Sequence, residues 1–153
     1  MSRVRVGDLA PDFTLPDQRG TPVRLGSLIG TKNVVLYFYP KDATPGCTAE
    51  ARAFRDAYDT FAAADTEVVG VSADSVKSHQ RFAAKHDLPF VLLSDRDGAV
   101  RQLYGVERWL GIFPGRVTYV IGRDGIVRTV FSSQLAATRH VREARQALKG
   151  LTA

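Results

Sequence analysis

The chain has 153 residues, 44% of them hydrophobic and 24% charged, which fits one soluble globular domain over residues 1–153 with a single core. A net charge of +5 is spread without a block of like charges or a basic stripe interleaved with aromatics, which argues against nucleic acid as a partner. The single cysteine excludes an internal disulfide framework. The N-terminal MSRVRVGDLAPDFTL has no apolar stretch of signal-peptide length and no run approaches a membrane span, so a cytoplasmic protein without membrane contact is expected.

In chain order, DFTLPD and TPVRL flank Gln18-Arg19-Gly20 and predict an N-terminal hairpin. NVVLYFYP, residues 33–40, is a nearly continuous β-branched and aromatic run, the pattern of a strand buried on both faces, and Pro40 ends it. From Cys47 the apolar positions Cys47, Ala51, Phe54, Tyr58 and Phe61 recur at steps of four and three, which predicts one helix. TEVVGVSAD reads as a second buried strand, Ser75 to His86 as a helix, FVLLSD as a strand and GAVRQLYG as a short helix. TYVIGRDGIVRTVF predicts two strands joined at Asp-Gly. A helix over about 135–149 closes the chain, with Ala137, Val141, Ala144 and Leu148 inward and Arg139, Arg142, Arg145 and Lys149 on its solvated face. Strands alternating with helices imply an α/β layer fold. The order resembles a thioredoxin-like fold, a central mixed β-sheet flanked by helices, with an N-terminal hairpin extension.

Thr44-Pro45-Gly46-Cys47 reads as a helix start, with threonine a favoured N-cap and proline favoured at the first helical position. Cys47 then lies in the first turn, where free N–H groups and the positive end of the helix dipole favour an anion. A thiol there should ionise more readily than a free one; equally, Cys47 could simply begin the apolar face of its helix, and spacing leaves both open. A free thiol of pKa about 8.5 is already roughly 3% ionised at pH 7, so ionisation alone can raise its rate only about 30-fold. Fast chemistry on a peroxide also needs donors aimed at the two oxygens as negative charge grows on the leaving one. The candidates are the Cys47 N–H, the Thr44 hydroxyl and an arginine that composition does not single out.

The block FYPKDATPGCTAEARAFRD is similar to the active-site signature of the peroxiredoxins, P-x-x-x-T-x-x-C, with Pro40, Thr44 and Cys47. GDLAPDFTL, SVKSHQRFAAKHDLPFVLLSD, LYGV and GRVTYVIGRDGIV resemble the Q subfamily, also called bacterioferritin comigratory proteins, along nearly the whole chain. The resemblance implies a thiol-dependent peroxidase acting on hydrogen peroxide or alkyl hydroperoxides, with no cofactor and no metal. It makes Cys47 the peroxidatic nucleophile, oxidised to a sulfenic acid, and gives Thr44 a hydrogen bond to the peroxide. Pro40 would shield the site, Arg116 would stabilise the thiolate and position the peroxide, and Glu50 would orient Arg116. Taken singly, Thr44 could only cap, Arg116 only be surface charge, and Glu50 only complement the helix dipole.

Many Q-type members carry a second, resolving cysteine, either five residues after the first or in the following helix. Arg52 and Ala83 stand at those positions here. With one cysteine the intramolecular disulfide is impossible, so the sulfenic acid must be reduced by an external thiol: thioredoxin, a glutaredoxin-type protein or a small thiol. A monomer, or at most a weak dimer, is expected from the resemblance. Two other functions compete. A disulfide oxidoreductase is disfavoured by CTAE where a C-x-x-C pair belongs. A non-enzymatic binding protein with an inert cysteine would fail to consume peroxide. His79 and His86, seven apart, could share a helix face, but a metal site would need a third ligand. The apolar segment 106–115 suits a site entrance, a dimer contact or burial under the sheet.

Overall fold

The computed structural model describes residues 4–106, 115–133 and 136–152, so most of the apolar segment 106–115 lies outside the described residues. Strand β1 (Thr14–Pro16) pairs antiparallel with β2 (Pro22–Arg24) as the expected hairpin. Its turn is closed by the Asp17 carboxylate, which accepts from the N–H groups of Arg19 at 2.8 Å and Thr21 at 3.0 Å. A short helix, α1 (Leu25–Leu28), follows, which the sequence pattern did not suggest.

The run NVVLYF forms β3 (Asn33–Phe38), and every residue of it is buried. It is the middle strand of five, parallel to β4 (Thr66–Ser72) and antiparallel to β6 (Val117–Ile121), with β5 (Val91–Ser94) and β7 (Val127–Ser132) at the edges. The two-residue period sends Val34, Leu36 and Phe38 to one face and Val35, Tyr37 and Tyr39 to the other. The first face packs on Phe13, Leu25 and helix α5 (Ala99–Tyr104). The second packs on α2 (Pro45–Asp56), α3 (Tyr58–Ala63), α4 (Val76–His86) and α6 (Arg139–Thr152). Stacking of Tyr37 on Phe54, with centroids 4.5 Å apart, sets α2 directly over β3.

Two boundaries differ from the sequence reading. The single helix expected from Cys47 through Phe61 breaks at Ala57, whose ψ of 1° leaves the helical range. The break lets Phe61 stay buried beside Phe54 while Tyr58 stacks on Phe90. The last helix begins at Arg139 rather than near 135, because a turn bonding Arg139 N–H to the Ala136 carbonyl precedes it. Ala137 is buried from that turn, and Val141, Ala144 and Leu148 are buried from the helix. Gly125, at φ 82°, supplies the left-handed residue of the β6–β7 connection, where its N–H bonds the Gly122 carbonyl at 2.9 Å. Among the described residues, no helix is long and apolar enough to cross a membrane.

Candidate active site

Residues 40–47 carry the chain from the end of β3 into α2. Pro40 is half-buried. Ala43 has φ 64°, a left-handed conformation that costs a non-glycine residue about 1 kcal/mol or more and needs support from its surroundings. Buried Asp42 provides it: its N–H donates to Asp74 at 2.8 Å, and its carboxylate accepts from Tyr39 at 2.6 Å, Ser78 at 2.8 Å and His79 Nδ1 at 2.7 Å. His79 Nε2 lies 3.0 Å from the Leu93 carbonyl. Asp42, Asp74 and His79 thus form a cluster of ligand-type groups that the sequence did not reveal. Their hydrogen bonds to one another and to the backbone make it an anchor for the loop. His86, the other histidine considered from sequence, instead packs edge-on against Phe82 at 5.0 Å.

Thr44 is the N-cap by position, yet its side chain makes no capping bond; its hydroxyl donates to the Lys41 carbonyl at 2.9 Å. Cys47, third residue of α2, is 1% exposed. Its sulfur accepts a hydrogen bond from Arg116 Nη2 at 3.3 Å, and Arg116 Nη1 donates to Glu50 Oε1 at 2.5 Å. Gly46 makes the first approach possible, since a Cβ there would stand 3.1 Å from Nη2. Arg116 precedes β6, and its segment is tied to the end of β3 by Arg101, which donates to the carbonyls of Gly115 and Tyr39, each at 2.9 Å. Cys47, Glu50 and Arg116 therefore meet in one buried cluster. Thr44 and Pro40 lie on the loop leading into it.

Sequence reasoning missed a further member. His140 of α6 is fully buried, with Nε2 donating to the Ser133 carbonyl at 2.8 Å and Nδ1 2.8 Å from the Thr118 hydroxyl. Its Nδ1 also lies 3.8 Å from Glu50 Oε2. Its position four residues before Ala144, on the inward stripe of that helix, was the available signal. Burial pushes His140 down to about 4; the bond to Ser133 opposes this, and Arg116 and Arg139 add to it. Burial pushes the Glu50 carboxyl up to about 8 against the lowering effect of Arg116. For Arg116, burial lowers the pKa, but the two neighbours Glu50 and Cys47 outweigh it and the net shift is upward.

A sequence profile described as the AhpC/TSA family matches residues 6–130. The chain belongs to that family. It is 48% identical to the chloroplastic peroxiredoxin Q of Sedum lineare over 98% of this chain and 81% of that protein. Its structure superimposes on the peroxidoxin BcpB of Mycobacterium tuberculosis with TM-score 0.90 and 41% identity, covering 97% and 99% of the two chains. The bacterioferritin comigratory protein of Xanthomonas campestris, solved in connection with its alkyl peroxide reduction activity, gives TM-score 0.87 at 31% identity over 98% of each chain. The five-stranded mixed sheet with helices on both faces is thus the thioredoxin-like fold of a peroxiredoxin, a thiol-dependent peroxidase.

Proposed function

We propose that this peroxiredoxin reduces hydrogen peroxide and organic hydroperoxides with Cys47 as the nucleophile of a one-cysteine cycle. The thiolate sulfur attacks one peroxide oxygen, the O–O bond breaks, and the departing hydroxide or alkoxide takes up a proton, leaving a sulfenic acid on Cys47. One external thiol condenses with the sulfenic acid to a mixed disulfide and water. A second thiol attacks the reductant's sulfur in that disulfide, releasing Cys47 and an external disulfide. The observation that carries this reading is the Arg116 guanidinium 3.3 Å from a buried sulfur in the first turn of a helix. An inert cysteine has no use for a buried cation against its sulfur. A disulfide oxidoreductase would need a second thiol that the chain lacks.

Arg116 stabilises the negative charge on sulfur and on the leaving oxygen, Thr44 offers its hydroxyl to the bound peroxide, Pro40 shields the approach and Glu50 holds Arg116 in place. The reductant is a thioredoxin, a glutaredoxin-type protein or a small thiol. The protein acts as a monomer. The Sedum relative is chloroplastic; for this chain we propose the cytoplasm, a setting that supplies the thiol pool its cycle requires, and cell fractionation tests it. Intact mass spectrometry after one equivalent of peroxide should show one added oxygen, converted by small thiol to a mixed adduct. Cys47→Ser should show neither, and a wild-type protein inert to peroxide would overturn the reading.

A further inference from the structure

Arg116 stands between two acids in a dry interior, and its fork is not spent on either one. Nη1 meets Glu50 Oε1 and Nη2 meets the Cys47 sulfur, whereas a committed arginine–carboxylate pair is commonly bidentate. Glu50 is fully buried, and its second oxygen, Oε2, has no hydrogen-bond partner. His140 Nδ1 lies 3.8 Å from Oε2. What that nitrogen carries follows from its other side. Nε2 lies 2.8 Å from the Ser133 carbonyl, which can only accept, so the ring proton is on Nε2. With the ring neutral, Nδ1 presents a lone pair, which accepts the Thr118 hydroxyl at 2.8 Å. Nδ1 therefore has no proton to give, and an ionised Oε2 would be a buried carboxylate oxygen without a hydrogen-bond donor.

We propose that Glu50 is a neutral carboxylic acid in the reduced protein, so that the charge of Arg116 is left for the Cys47 sulfur. This rests on Cys47 being the peroxidatic thiol and revises what its glutamate does: Glu50 holds the guanidinium with an uncharged acceptor, and His140 is a positioning residue that keeps it uncharged. One cation then balances one anion, and the second buried negative charge is avoided. The other groups facing Glu50 agree with this. Tyr37 on β3 is held neutral by burial, and Arg116 is the cation whose charge acts on Glu50. When Glu50 ionises, as the pH passes about 8, it competes with the sulfur for Arg116, and the rate of reaction with peroxide should fall, approaching roughly tenfold per pH unit if that single proton controls it.

The test is spectroscopic and needs no turnover. Infrared spectra of the reduced wild-type protein at neutral pH should contain the C=O band of a buried protonated carboxyl. The band should shift in D2O, fade as the pH passes about 8, and be missing from Glu50→Gln. In ¹⁵N NMR, His140 should carry its proton on Nε2 alone at the same pH. A carboxylate at position 50 at neutral pH, or a doubly protonated His140, overturns the proposal, and both are read on the unmutated protein. Glu50→Gln keeps an oxygen for Arg116 and has no proton to lose, so its peroxide rate should lose the alkaline fall; retention of that fall also overturns the proposal. A protonated Glu50 in a protein inert to peroxide would instead defeat the peroxidase reading and leave this assignment standing.

Discussion

The two faces of the central sheet are built from alternate residues of the same strands, yet they differ in polarity and in purpose. On the face of Leu36 and Phe38, the buried tyrosines have found partners: Tyr104 donates to the Pro11 carbonyl at 2.7 Å and Tyr119 to the Tyr104 carbonyl at 3.4 Å. On the face of Tyr37 and Cys47 lie Tyr37 Oη, Glu50 Oε2 and Arg116 Nε, the buried side-chain atoms without a hydrogen bond among the described residues. An unsatisfied buried group costs about 1–3 kcal/mol. One face therefore secures the fold, and the other leaves polar atoms of a cation and its neighbours unsatisfied.

Substitutions should separate those two purposes. Arg116→Ala should slow the reaction with peroxide roughly a hundred- to a thousandfold, the loss of one preorganised donor, while circular dichroism shows the fold retained. Leu36→Ala on the opposite face should do the reverse: about 2–5 kcal/mol lost in urea denaturation, with the peroxide rate of the folded fraction preserved. If stopped-flow rates show Arg116→Ala reacting as fast as wild type, the arginine assignment is wrong.

Stability should also depend on pH through the functional face, with opposite signs for two groups. His140 falls from its ordinary 6.5 to about 4, so the unfolded chain binds its proton first, and stability should drop as the pH falls through that interval. Glu50 rises from its ordinary 4.5 to about 8, so the native state holds the extra proton, and the stability it contributes below 4.5 should be lost as the pH rises toward 8. The acid limb is worth on the order of 3 kcal/mol and the alkaline limb on the order of 5. Urea midpoints measured against pH should show the acid limb flattened in His140→Gln and the alkaline limb flattened in Glu50→Gln.

The smallest effect is expected at Gly46. A helical alanine is better than glycine by up to about 1 kcal/mol, so Gly46→Ala should melt no lower than wild type. Its Cβ, 3.1 Å from Arg116 Nη2, should nonetheless displace the guanidinium by a few tenths of an ångström and slow the peroxide step roughly tenfold. A faster or unchanged rate would show that Arg116 tolerates displacement and that the faces are less distinct than the geometry indicates.

Much of this was legible in the chain because it depends on neighbours in sequence. The apolar run 33–38 could only be a central strand, and Thr44-Pro45 starts a helix that carries Cys47 in its first turn. The breaks were harder to read. Ala57 and the turn before Arg139 interrupt regular spacing for the sake of packing by Phe61 and Ala137, which no local pattern records. Resemblance singled out Arg116 and Glu50, but neither His140 nor the Asp42–His79 anchor carried a motif.

What the sequence determined by itself is the chemistry available: one thiol, at a helix start, with no second cysteine to resolve it. What only the tertiary structure decided is the charge that chemistry operates with. Arg116 reaches the sulfur across 69 positions and Glu50 across 66, and His140 stands 3.8 Å from Glu50 on another helix again. Hydrogen-bond polarity and Coulomb energy in a low-dielectric interior depend on distance and burial, and neither can be read from spacing along the chain.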